Sequence, residues 1–598
     1  MKNVITLLLS TFAVILPIHA DLYLVQTGID GDAKWTYTDL ATIVDLSEQN
    51  KSLNAFIGTL TISDEVWLCQ GTYTLSAPVY LNKSGQQIFG GFNGTESSII
   101  EREMSDLDGN GIIEPWEFTN ASIIDGAGNY RCISIQGDAQ TSVNGIVVQN
   151  GKTANGGAGI YLNSGAVLYS IIRNNLVTDC TANTAASGIQ NISGTVNGCL
   201  IENNTTDAGN FYGYGGGIAC SSTDAVIENS MVRYNEIKST VDGSAVGNNK
   251  GGGIYLQKGG SAWNCVVYNN TTPGNGGGIY LDKVTAEPFC SVYYCTVTNN
   301  KAGNQSGGIH TNASGIIKNT ALWGNGSSQA INNNAFFYKS AQDPAGNTDI
   351  DYIGFNGGVA YSNDIVHASH IVELSDDGEI FSAPTETQGV PASTENPGNW
   401  ELTATSPLLN TGMTYEPIES DLLGIMRPQG PATDIGSYEL LYYLLITRVG
   451  ENGTVTLANG DALPTTYNQP KGIQIALTVK PDNGYSAKAI YNGDDITSTI
   501  EGEKLVLPAL LENESLDITF ELTSGISEEN MNNPLICYAV NGGIMITGIS
   551  QPIDITIYNL FGGIVTIKKS ATGNNMIPIS AGIYLVRAGE KVSKVIVK

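Results

Sequence analysis

Residues 251–270 read GGGIYLQKGGSAWNCVVYNN, and residues 275–300 read NGGGIYLDKVTAEPFCSVYYCTVTNN. Each stretch opens on glycines, runs into Ile-Tyr-Leu, turns, and closes on Asn-Asn after a second alternating run. Outward from this pair, a Gly-Ile step recurs at Gly159, Gly188, Gly217, Gly253, Gly278 and Gly308, in steps of 29, 29, 36, 25 and 30 residues. A closing asparagine recurs at Asn175, Asn204, Asn235, Asn270, Asn300 and Asn325. Self-similarity at this period marks a solenoid. Each unit holds short period-two runs between Gly and Asn, the pattern of strands and turns, and no apolar periodicity of helical length. One unit per coil of a right-handed parallel β-helix, an all-β fold, accounts for the pattern.

Phase within the repeat assigns faces, because side chains alternate along a strand. Ile172, Ile201, Val232, Val267, Val297 and Leu322 share a phase and point inward. Two positions earlier the repeats carry Ser170, Cys199, Ser230, Cys265, Cys295 and Thr320, a site for a small side chain. The cysteines there read as buried thiols, although Cys265 and Cys295 fall on successive coils and are the pair to test for a bond. Stacked coils put equivalent residues about 4.8 Å apart. The closing asparagines are therefore expected to run amide to amide, and asparagine also suits a left-handed corner.

Two columns are expected to face outward. Arg173, Glu202, Arg233, Tyr268, Thr298 and Trp323 precede the closing asparagine by two. Arg–Glu–Arg on three coils fits a lyase base with its partners, and more simply a charge ladder on a solvated face, which adds little stability. Tyr161, Gln190, Ala219, Tyr255, Tyr280 and His310 follow the Gly-Ile step. Aromatic rings on a rigid face can bind sugar rings, so Tyr161, Tyr255, Tyr280, Tyr268 and Trp323 are the candidate carbohydrate contacts. Stacking that only stabilises the ladder is the competing reading.

The formal charge of −29 argues against nucleic acid or an anionic surface as partner. With 41% hydrophobic and 14% charged residues, the chain is not a disordered one. Lys2, an uncharged run to Ile18 and Ala20 read as a secretory signal over residues 1–20. No later stretch reaches the ~20 apolar residues of a membrane span. Residues 21–122 are expected to form an N-terminal cap and first coils, with a helix over residues 37–47 from the spacing of Leu40, Ile43, Val44 and Leu46.

Residues 106–117, DLDGNGIIEPWE, match the calcium-loop pattern D-x-[DN]-x-[DN]-G-x5-E, an EF-hand-like insertion. Asp106, Asp108 and Asn110 supply side-chain oxygens, Ile112 a backbone carbonyl, and Glu117 closes the site with both oxygens. Gly111 permits the turn, and Ile113 is the expected apolar anchor. Pro115 and the lack of flanking helices argue for a structural calcium, not a sensor. Nothing basic in the loop is placed to act on a substrate.

Beyond the repeats, residues 406–412 (SPLLNTG) and 421–439 (DLLGIMRP followed by TDIGSYE) resemble the closing segment of bacterial secreted β-helix proteins, which implies a last coil and C-terminal cap ending the helix of residues 123–440. Residues 443–523 hold alternating strands joined by Asn-Gly turns and resemble internalin-B-type repeat modules, a small β spacer. A polar linker, 524–534, follows. Residues 535–598 end in SAGIYLVRAGEKVSKVIVK and resemble the C-terminal sorting domain of type IX secretion cargo. That resemblance implies a second β-sandwich-like domain read by the export machinery of Bacteroidetes-type bacteria, with the remainder attached to the outer membrane or released.

Patterns of an acidic-polysaccharide hydrolase, such as Asn-Thr-Asp or Gly-His-Gly, are absent from the repeats. His367 and His370, followed by Glu373, Asp376 and Asp377, offer a weak metal-ligand spacing. The expectation is a non-catalytic, exported scaffold at the cell surface, an adhesin or glycan-contacting protein. The alternative is a polysaccharide lyase or glycoside hydrolase acting on an acidic polysaccharide.

Overall fold

The computed structural model describes residues 21–597 except 30, 37–40, 242, 285, 313, 329–333, 339–347, 357–358, 362–367, 376–378, 386–396, 416–417, 523–535, 541 and 590. Two compact units result. The first takes in residues up to 402, 406–427 and 433–439, and the second takes in 403–405, 428–432 and 440 onward. No helix among the described residues is long and apolar enough to cross a membrane.

The first unit is a parallel β-helix built from parallel sheets of 21, 10 and 7 strands. Register follows the repeat: Ile172 pairs with Ile201, Ile201 with Val232, Val232 with Val267, Val267 with Val297, and Val297 with Leu322. All six are fully buried, as are Ser170, Cys199, Ser230, Cys265, Cys295 and Thr320. The small column has a purpose beyond size. The Ser230 hydroxyl accepts the Cys199 N–H at 3.0 Å, and the Ser170 hydroxyl accepts that of Ile146 at 3.3 Å, satisfying donors at the bend. The thiols of Cys265 and Cys295 are free, and burial pushes that of Cys199 up to about 12, so it stays protonated.

Both residues that close each repeat have a task, Asn-Asn on four coils and Tyr234-Asn235 and Gly324-Asn325 on two. The second forms the ladder: Asn175, Asn204, Asn235, Asn270 and Asn300 each donate Nδ2–H to the Oδ1 of the next member at 2.9–3.0 Å, through to Asn325 and Asn334. The first takes the left-handed corner, at φ 56° for Asn174, 55° for Asn203, 52° for Asn269 and 50° for Asn299. The expectation had given both roles to the closing residue; the corner falls one position earlier.

The N-terminal region departs from its expected helix. Thr42–Asp45 is a strand paired with Leu22–Gln26, and the α-helix is Leu53–Ile57, with Leu53, Phe56 and Ile57 buried. Parallel pairing of Ile43 and Val44 with Leu24 and Val25 outweighs a helical spacing that β-branched residues support poorly. In the closing segment, residues 420–427 and 433–437 run over the outer face of several coils: Asn264 donates to the Ser420 carbonyl, Ser437 N–H to Thr296 Oγ1, and Gly436 N–H to the Asn319 carbonyl. The buried pair Arg427–Glu439 at 3.0 Å holds this segment in shape.

In the second unit, a five-stranded and a three-stranded sheet enclose Leu445, Val455, Leu477, Val479, Leu505 and Ile518. Residues 536–597 form five antiparallel strands around Ile544, Ile546, Ile555, Ile557 and Val586, with Gly543–Tyr558 paired to Ile564–Pro578 through register shifts.

Asn235→Ala removes donors to the Ile201 carbonyl and to Asn270, and leaves the Asn204 amide without its acceptor. Each orphaned buried group costs about 1–3 kcal/mol. Chemical denaturation should show a loss of at least about 2 kcal/mol, with little change for Asn183→Ala at the surface.

Candidate metal centre and the covered outer face

Residues 106–117 hang from a short stem. Met104 bridges Phe118, Ser105 N–H bonds the Glu117 carbonyl, and Thr119 N–H bonds that of Glu103. Arg102 pins the stem, donating to the Gly90 carbonyl and to Asn144 Oδ1 at 3.0 Å, with its guanidinium 4.3 Å above the Phe118 ring. Inside the loop the acids are drawn inward by backbone donors. Asp106 accepts from Gly109 and Gly111, Asp108 from Asn110, and Glu117 from Leu107 and Glu114. Carboxylate oxygens of Asp106, Asp108 and Glu117 come within 4.8 Å of one another, a set that can hold a metal ion.

The other predicted ligands divide. Asn110 turns its Oδ1 to the Ile112 N–H at 2.8 Å and its Nδ2 to Glu114 Oε1 at 2.8 Å. Ile112 is the buried anchor, while Ile113, expected in that role, is 53% exposed. With Pro115 in place of helical backbone, the loop reaches the core through its seventh residue and not its eighth. Glu114 went unread in the sequence because the loop pattern leaves its position open.

The loop does not stand apart from the repeats. Asp108 Oδ2 accepts from Arg233 at 3.0 Å, across 125 residues of chain. Arg233 also meets Glu202 at 2.9 Å and Tyr268 Oη at 2.8 Å, and is buried. Burial alone would lower its pKa, but Tyr268, Glu202 and Asp108 together hold it well above the ordinary arginine value. The column expected as a solvated ladder is thus half ladder and half core. Arg173 bonds Gln149 at 3.1 Å, whereas Arg233 is sealed beneath the loop.

The aromatic candidates are mostly sealed as well. Tyr268 is 0% exposed, its hydroxyl donating to the Pro397 carbonyl and its ring lying 5.2 Å from Trp400. Tyr255 and Tyr280, 3% and 4% exposed, pack with Ala186, Ala219 and Tyr214. Lys250 lies 5.0–5.9 Å over these three tyrosine rings and pairs with Asp282 at 3.1 Å. Trp323 is half-buried against Phe381, with Nε1 donating to the Ser375 carbonyl. Phase gave the correct side of each strand, but not what other segments lay on it. Tyr161 is half-buried, with the Arg131 guanidinium 5.1 Å over its ring. Two coils away in register, through Ser134, stands Tyr80 at 48% exposure, which the sequence reading passed over. His370 bonds Asp351 at 2.9 Å and stacks on Tyr352; His367, Asp376 and Asp377 lie outside the described residues.

No protein-family model matches this chain, and no curated protein does. Among solved structures it is similar to pectate lyase Pel9A, at 15% identity and a TM-score of 0.33, over 70% of this chain and 96% of that one. It is also similar to XylC, solved in complex with xylose, at 9% identity and a TM-score of 0.30, over 70% of this chain and 98% of the other. Likeness at this level carries no argument about chemistry.

Burial, then the adjacent Glu117, raises the Glu114 pKa above the ordinary glutamate range. A carboxyl that holds its proton more tightly folded than unfolded favours the folded state at low pH, and that advantage fades as pH rises. In chelator, thermal melts should show stability falling from acidic towards neutral pH, and Glu114→Gln should flatten the slope.

Proposed function

We propose that this chain is an exported, calcium-stabilised β-helix scaffold that contacts glycans at the cell surface. One observation carries the glycan reading. In the outward column of the ten-stranded sheet, exposed Tyr80 and half-buried Tyr161 stand on strands two coil steps apart, about 9.6 Å along the sheet, beside Arg131. Two rings on a rigid sheet are held at fixed spacing without loss of side-chain freedom on binding, which suits extended, repetitive ligands.

The loop supports calcium over magnesium, because several carboxylates on a flexible turn match a large oxygen-seeking ion. Residues 535–598 serve, on this reading, as the type IX sorting domain that delivers the chain. The lyase alternative draws less support: Arg233 is committed to Glu202, Asp108 and Tyr268, and stays protonated, so it is not available to abstract a proton.

Two measurements test the proposal. On immobilised glycans, Tyr80→Ala with Tyr161→Ala should weaken retention by about tenfold, from roughly 0.5–1.5 kcal/mol per ring. Unchanged retention, or sustained release of unsaturated or reducing ends from an acidic polysaccharide, would sink it. Calcium at about 100 times its dissociation constant should add about 2.7 kcal/mol of stability, and Asp106→Ala should abolish that gain.

A further inference from the structure

The chain holds 57 acids against 28 lysines and arginines, so carboxylates are at hand for nearly every cation. Arg233 has Glu202 and Asp108, and Arg427 has Glu439. Arg131 is different. It is half-buried, and among the described residues no carboxylate pairs with it; the phenols of Tyr80 and Tyr161 are the groups that act on its charge. Two carbonyls of the next coil hold it instead, Nε donating to Gly157 and Nη2 to Gly156, each at 2.9 Å. The Tyr161 ring backs the guanidinium at 5.1 Å. Two of the five donors of a guanidinium are used in this way, which leaves three, two on Nη1 and one on Nη2. That is the edge a planar anion grips with two parallel bonds. Arg102, which also lacks a carboxylate, has no such edge, since its Nη1 is taken by the Gly90 carbonyl and Asn144.

Burial lowers the Arg131 pKa, and the two phenols offset only part of the effect. A cation taken from water without a countercharge is costly, and an anion set on the free edge regains what was lost. The surroundings fit a sugar around that anion. Tyr80, 48% exposed, offers an apolar ring face beside the guanidinium. Between the tyrosines in register stands Ser134, bonded at 2.8 Å by the amide of exposed Gln136, a further group for a hydroxyl. A formal charge of −29 repels a dense polyanion, so the fitting ligand carries its acid singly among neutral sugars.

We infer that Arg131 is the anion-recognising residue of the Tyr80 face, and that its ligand is a glycan with isolated acidic sugars, the carboxylate or sulfate gripped by the free edge of Arg131 while the sugar ring lies on Tyr80. The inference rests on the glycan reading above and adds to it the class of sugar. Tyr161 then serves by holding the guanidinium flat, without touching the ligand.

Frontal retention on the immobilised full chain tests this with three probes: a neutral oligosaccharide bearing one hexuronate, its carboxyl-reduced form, and a form bearing one sulfate ester. The parent should retain the hexuronate or the sulfate form about tenfold or more above the reduced form, and which of the two is retained identifies the acid. Arg131→Gln should abolish that preference while leaving retention of the reduced form as in the parent, and Arg131→Lys should restore only part of it. Lys301→Gln, which removes an exposed cation elsewhere, should change nothing. If the parent retains none of the probes, the glycan reading and this inference fall together. If it retains all three equally, the acidic class is overturned while the glycan reading stands, and that result needs no variant to fold. If Arg131→Gln and Arg131→Lys both keep the whole preference, or Lys301→Gln abolishes it, the assignment to Arg131 is overturned.

Discussion

Each asparagine of the buried ladder uses its whole hydrogen-bonding capacity. Asn204 donates to the Ile172 carbonyl and to Asn235 Oδ1, while its own Oδ1 accepts from the backbone and side chain of Asn175. A primary amide offers two donors and two acceptor sites, and all are filled away from water, where aligned bonds reinforce one another. That geometry tolerates one register at the corner and little else. Coil lengths between Gly-Ile steps range from 25 to 36 residues, yet the corner repeats with the same torsions and partners. Extra length is accommodated elsewhere, as with the 3-10 turn Gly243–Asn248 on the longest coil.

A rod held so firmly at its corner can afford to bury its outer faces too. Val147, Ile171, Leu200, Met231 and Val266 face away from the helix interior, and they form a second apolar cluster with Trp116, Trp400, Leu422, Ile435 and Tyr438. The 106–117 loop comes from before the repeats and the cover from after them. They meet on coils laid down between, so this second core joins parts of the chain that the solenoid alone would keep apart.

This division explains what was legible. Contacts between neighbouring coils repeat in sequence, so the inward column, the small Ser/Cys/Thr column and the asparagine ladder could be read by phase. The acidic cluster of residues 106–117 was legible because its chemistry is local: Asp106, Asp108 and Glu117, inside twelve residues, come within 4.8 Å of one another. Contacts that cross the outer face occur once and leave no period. Tyr268 and Arg233 have the phase of exposed residues and the burial of core ones, and nothing near either in sequence announces residues 397–400 or Asp108. Glu114, the ninth residue of that loop and a recurring position in such loops, was passed over, and its burial depends on what packs against the loop.

The placement of Arg233 bears most directly on what this face can do. A guanidinium held by two carboxylates and a phenol has a pKa raised far beyond any working pH, and its donors have fixed directions. It therefore acts as a permanent charge and a strut. Removing it would leave Glu202 and Asp108 facing each other under cover, and breaking such a buried pair costs about 3–5 kcal/mol. The coil and the loop are thus bound energetically as one unit: the loop neutralises a charge the coil could not bury alone, and the coil orients Asp108, one of three acids placed to hold a metal ion. In the ten-stranded sheet Tyr80 stays exposed and Tyr161 half-buried, in register two coils apart through Ser134.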